Sequence, residues 1–87
     1  MKQRRKAAAL KYEEGNDAPI VTAAGIGQIA ENIISRAEES KVPIVYNKEL
    51  ADLLTNVDVG DSIPPDLYEA VAHVIAYVME VDNKKER

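Results

Sequence analysis

"PIVTAAGIGQIA", residues 19–30, carries a β-branched run, two glycines and the opening of an amphipathic helix. Gly25-Ile26-Gly27-Gln28-Ile29-Ala30 fits the G-x-G-x-x-G/A pattern that seats a dinucleotide pyrophosphate at a helix N-terminus. Ile26, Ile29, Ala30, Ile33, Ile34 and Ala37 recur at helical spacing, which predicts a helix that stops before Pro43. Strand into helix is therefore expected whatever the glycines serve. A working fingerprint also needs an acid about 20 residues further on to hold the ribose. The nearest one past the next extended stretch, Glu49, falls inside a following helix. The rest of a nucleotide-binding sheet does not fit in the remaining chain. Gly25 and Gly27 are read as releasing the chain from strand to helix, and no cofactor is expected.

Outward from this core, "VPIVYN", residues 42–47, is a second strand candidate. The connection is long enough for a parallel pair, which would cross right-handed. Asn47 is placed to cap a helix whose apolar set is Leu50, Leu53, Leu54 and Val57. Gly60 is the expected pivot of "DVGDS", and Pro64 and Pro65 suit a helix entrance, where a missing N–H costs nothing. Leu67, Ala70, Val71, Val74, Ile75 and Val78 then form the longest apolar stripe, expected to end near Val81 before a frayed tail. The opening "KQRRKAAALKYEE" favours a helix by propensity. A thin sheet argues instead for a third strand there.

With 87 residues the chain supports one modest core. It has no cysteine, which excludes disulfides and thiolate zinc sites and fits a reducing cytosol. The longest uncharged run, residues 18–30, falls short of the ~18 apolar residues of a membrane span. The basic N-terminus is too brief for a signal peptide, so a cytoplasmic chain without a transmembrane segment is expected. A net charge of −4 conceals a split: five cations and no acid up to Lys11, then fourteen acids against Arg36, Lys41 and Lys48 over residues 12–83. The acidic body repels phosphate backbones. Only the arm could seek an anionic partner.

Catalytic constellations are missing from the pattern. His73 is the single histidine and is expected on the flank of the last helix beside Glu69 and Tyr77, whereas a metal site needs three or four convergent donors. Ser35, Ser40 and Ser62 have no recognisable base, and the acidic pairs at 13–14 and 38–39 read as solvated faces. Tyr12, Tyr46, Tyr68 and Tyr77, the only aromatics, do not interleave with basic residues as an RNA-binding sheet requires. No enzyme activity, catalytic residue or metal site is expected.

Three stretches, "AAALKYEEGNDAPIVTAAG", "VPIVYNKELADLL" and "VGDSIPPDLYEAVAHVIAYV", together resemble, in order and separation, the cytoplasmic domain of the FlhB/YscU/SpaS family of flagellar and injectisome type III export switch proteins. The resemblance covers residues 7–81. It implies an α/β (α+β) fold, a small mixed sheet of about three or four strands covered by three helices, in which "AAALKY" is a strand against its propensity. It also implies a division into a basic arm over residues 1–6, an FlhB C-terminal-like domain over 7–82 and a polar tail over 83–87.

Two departures from the family pattern shape the functional expectation. The family carries Asn-Pro-Thr-His before this strand and cuts itself between Asn and Pro, the asparagine amide attacking its own backbone carbonyl. Those positions here are Lys2, Gln3, Arg4 and Arg5, so self-cleavage is not expected. The family's Pro-Leu-Ala-Arg after "VPIVYN" is Glu49-Leu50-Ala51-Asp52, which turns a basic contact acidic. The resemblance implies a bacterial, stand-alone, non-cleaving FlhB-like protein without the family's transmembrane helices. It would act in flagellar biosynthesis and protein export, in substrate-specificity switching, by binding other proteins. It would be cytoplasmic or peripheral at the membrane apparatus. Expected partners are the export gate, membrane-bound FlhB and the hook-length-control protein, with no nucleic acid, through Lys6 and an exposed surface at Leu50, Ala51 and Asp52. The alternative is a nucleic-acid or anionic-surface binding module that uses the arm.

Overall fold

The computed structural model describes residues 4–13, 15 and 17–85. Their elements run β1 (Lys6–Lys11), β2 (Ile20–Ile26), α1 (Gln28–Glu39), α2 (Lys48–Leu54), a 3-10 turn (Pro65–Leu67) and α3 (Tyr68–Lys85). β1 and β2 form an antiparallel pair in which Lys6 lies opposite Ile26, Ala8 opposite Ala24 and Leu10 opposite Val21. The register shifts between Ala9 and Leu10, leaving Thr22 as an extra residue on β2. Thr22 turns its hydroxyl back to donate to the Ala9 carbonyl at 3.3 Å.

The "AAALK" segment is a strand despite its helical composition because its neighbours decide the matter. Ala8 and Leu10 pack against the buried cluster of Ala18, Val21, Leu50, Leu54, Ile63, Leu67 and Val71. Burial of this kind outweighs a propensity difference of a few tenths of a kcal/mol per residue. α3 reaches the same cluster through fully buried Val71 and half-buried Val74 and Ile75.

The α/β class, the three helices and the strand at "AAALK" are as expected. The sheet is smaller than expected: two antiparallel strands, with no third strand and no parallel crossover among the described residues. Residues 42–47 carry no ladder. Pro43 has no N–H to give one, and the chain arrives there from Lys41 at φ 58, a left-handed conformation that closes α1. The Val42 amide donates to the Ala37 carbonyl at 2.8 Å and the Lys41 amide to the Glu38 carbonyl at 3.2 Å, so the exit is tied to the helix rather than to a sheet. α3 continues to Lys85, past its expected end near Val81.

The remaining local signals act as their chemistry dictates. The Asn47 side chain accepts from the Leu50 amide at 3.0 Å and starts α2. Gly60 turns at φ 97. Its amide donates to the Val21 carbonyl at 2.7 Å, while Val21 donates to Asp61 at 3.0 Å and Ile63 to Pro19 at 3.0 Å. The loop after α2 therefore covers the outer edge of β2 and drives Ile63 into the core.

Candidate functional site

The glycine turn and the basic arm meet. Gly27 sits at φ 68, ψ −124, just before α1, and its amide donates to the Arg5 carbonyl at 2.7 Å. This extends the antiparallel pair one step beyond β1. Arg5 then places its guanidinium Nε 3.4 Å from Glu31 Oε1 in the first turn of α1. Gly25 has a separate reason to be glycine: a Cβ there would lie 2.6 Å from the Ile29 Cβ. The two glycines bring strand and helix close, and their neighbours are protein groups.

Lys6 and Asp52, 46 residues apart, form a side-chain ion pair and hydrogen bond that ties β1 to α2. Asp52, where the resemblance implies an arginine, thus has a cation to meet. Both side chains are well exposed, so the pair positions more than it stabilises, worth about 0–1 kcal/mol. Leu50, expected on an exposed surface, is a core residue at 6% exposure. The helix period explains the correction: Leu50 and Leu54, four apart, face inward together, which leaves Asp52 outside and Ala51 half-buried at the margin. Arg4 is exposed beside Gly27, and Lys2 and Gln3 lie outside the described residues.

These residues rim an open groove of about 1500 Å³. β1 forms one side with its small Ala7, Ala8 and Ala9, α1 contributes Ile33 and Ile34, and α3 contributes Val78 and Met79. Residues 42–47 form a further wall that sequence reasoning had assigned to the sheet. The signal was present in Pro43, which is out of place in a central strand. Cations at the groove are Arg4, Arg5, Lys6 and Lys48, against Glu49 and Asp52.

The described groove is an apolar surface with a charged rim. Among the described residues no polar side chain is buried, and no group of His, Cys, Asp and Glu is placed to hold a metal ion. His73 is exposed on α3. Among the described residues the resolved protonation effect is between Lys11 and Glu13, whose hydrogen bond at 2.8 Å raises the lysine and lowers the glutamate from their ordinary values. No helix among the described residues is long and apolar enough to cross a membrane.

Comparison with known proteins places this geometry. The sequence profile of the FlhB HrpN YscU SpaS family matches residues 5–78. Protein YlqH of Bacillus subtilis is 43% identical over 86 residues, taking in 93% of this chain and 92% of YlqH. The flagellar biosynthetic protein FlhB of Aquifex aeolicus is 49% identical over 75 residues, or 84% of this chain but 21% of that protein. This chain thus spans about a fifth of such relatives. Among solved structures, the cytoplasmic domain of FlhB from Shewanella putrefaciens superposes with a TM-score of 0.88 at 32% identity, over 93% of this chain and 68% of that one.

Proposed function

The chain belongs to the FlhB HrpN YscU SpaS family, and on that premise we propose that it is a non-cleaving FlhB-like protein of the flagellar type III export apparatus that works by binding other proteins. It supports export or the switch in substrate class, in the cytoplasm or at the membrane-bound apparatus. Its partners in this proposal are the export gate, membrane-bound FlhB and the hook-length-control protein.

The observation that carries the proposal is the family match over the folded body combined with Lys2, Gln3, Arg4 and Arg5 at the cleavage positions. Cleavage through a succinimide needs a side-chain amide next to the scissile carbonyl, and the Lys2 ammonium supplies no such group. An apolar groove with a charged rim fits docking, and two of the arm's cations are held by Glu31 and Asp52 rather than offered to a phosphate backbone. Lys6 and Asp52 mark the mouth of the proposed contact, and Ala51 its margin. Affinity capture with the tagged chain is expected to enrich export-gate proteins and the hook-length-control protein, and deletion of its gene to change motility. No enrichment together with unchanged motility contradicts the proposal.

A further inference from the structure

Among the described residues, every element except β1 places a side chain in the buried interior. β2 supplies Val21, α1 Ala30, α2 Leu50 and Leu54, the 3-10 turn Leu67 and α3 Val71. β1 supplies none: Lys6 and Lys11 are exposed, and Ala7, Ala8, Ala9 and Leu10 are half-buried. Ala8 and Leu10 lean on the core from outside, so leaving it costs them less than it would cost Val21 or Val71. Three of the six residues of β1 are alanine, a poor strand former that offers a cross-strand neighbour little to pack against.

β2 does not lean on β1 to the same degree. Residues 60–63 hold its far edge: the Val21 amide donates to the Asp61 carbonyl and the Ile63 amide to the Pro19 carbonyl, and the Val21 and Ile63 side chains are fully buried. The cluster of Ala18, Val21, Leu50, Leu54, Ile63, Leu67 and Val71 closes without a β1 member. On the near edge, alternation from the Gly27 amide bonded to the Arg5 carbonyl makes Ala7 with Gly25, and Ala9 with Ala23, the hydrogen-bonded pairs. Charge ties the N-terminal end of β1 to the helices. Arg5, next to the strand, reaches Glu31 on α1 at 3.4 Å, and Lys6 pairs with Asp52 on α2. All four side chains are open to solvent, where salt screens such contacts.

We propose that β1 is a strap that opens as a unit while the rest of the fold stays closed, with the Arg5–Glu31 and Lys6–Asp52 pairs as ionic clasps that set how often it opens. Local opening is drawn from the least buried part of a fold, and β1 is that part here. Opening lifts Ala8 and Leu10 off the core and leaves residues 23–26 of β2 without their strand neighbour, while Val21 keeps its bonds to residues 60 and 61. Ionic strength thereby sets the closure of one strand and not of the whole domain. The inference concerns the chain alone and does not rest on the identity of any partner.

The test is native-state amide hydrogen exchange on the full chain, 15N-labelled, under conditions where exchange reports the opening equilibrium. The amides of Ala7, Ala9, Gly25 and Gly27 are expected to exchange as one group, at least about tenfold less protected than those of Val21, Ile63 and Val71. The group should also respond less steeply to urea, because opening a strap exposes less surface than global unfolding. Raising NaCl from about 0.02 M to about 1 M should speed exchange of the group about threefold relative to Val21 and Ile63. A double variant, Glu31→Gln with Asp52→Asn, should show the faster exchange already at low salt and lose most of the salt response. Equal protection of the two groups, a common urea slope, or unrelated rates within the first group overturns the strap. No salt response in the wild type, or an undiminished one in the folded double variant, overturns the clasps. If the double variant fails to fold, the wild-type salt and urea series decide the matter.

Discussion

Replacing Gly27 with L-alanine tests the account of the glycine turn. At φ 68 and ψ −124 the backbone lies where an L side chain is strained whatever space surrounds it. Space is not the issue, since among the described residues the only atom within 4 Å of the added Cβ is the Arg4 Cδ at 3.8 Å. The whole cost is conformational and amounts to about 1–3 kcal/mol. For a domain of this size each ~1 kcal/mol lowers the melting temperature by about 4–8 °C, so Gly27→Ala should melt roughly 4–24 °C below wild type. Urea unfolding should show a lower midpoint with an unchanged slope. A D-alanine at 27, introduced by chemical ligation, mirrors an ordinary extended L conformation and is expected to recover most of the loss. NAD should shift the melting of neither protein. A Gly27→Ala protein within about 0.5 kcal/mol of wild type, the spread of ordinary surface substitutions, would refute the strain argument. Stabilisation by NAD would revive the nucleotide reading.

Three further outcomes follow from the hydrogen bonds. Asn47→Ala removes the acceptor of the Leu50 amide and should cost about 1 kcal/mol in urea unfolding, with Asn47→Asp close to neutral. Lys41→Gly relieves a left-handed non-glycine residue at the end of α1 and should stabilise by about 0.5–1 kcal/mol; a loss would contradict the assignment of that exit. The Lys11–Glu13 hydrogen bond holds the glutamate below its ordinary 4.5, so its contribution is present above that value and lost as pH falls through the lowered one. Because both side chains are exposed to solvent, that contribution should shrink toward nothing in high salt, and the Glu13 titration followed by NMR should move back toward 4.5 in Lys11→Met.

The order of elements was legible because its signals are local. Asn47 before Leu50, Pro64 and Pro65 before Leu67, and Gly60 in the loop each act through a neighbour a few residues away, as they would in a peptide. The strand at "AAALK" was not legible from propensity, because what holds it is Val21 and Leu54, far along the chain, and only the family resemblance pointed to it. Residues 42–47 misled for the converse reason: their β-branched side chains describe a strand, while pairing depends on an adjacent backbone that the described residues do not supply. The site suffered in the same way. Asp52 was recognised as a departure, but its ion pair with Lys6 is a tertiary fact. Leu50 is core, as its four-residue spacing from Leu54 dictates, while the family resemblance points to its neighbourhood as surface.

The most direct measurement is a titration of the purified full chain against detergent-solubilised, full-length FlhB from the same bacterium. Saturable binding is predicted for the wild-type chain and weaker binding for Asp52→Arg, which sets a second cation beside Lys6 at the mouth of the groove while leaving the melting temperature within a few degrees of wild type. No binding by a demonstrably folded chain, at concentrations where a soluble FlhB cytoplasmic domain does bind, would contradict it.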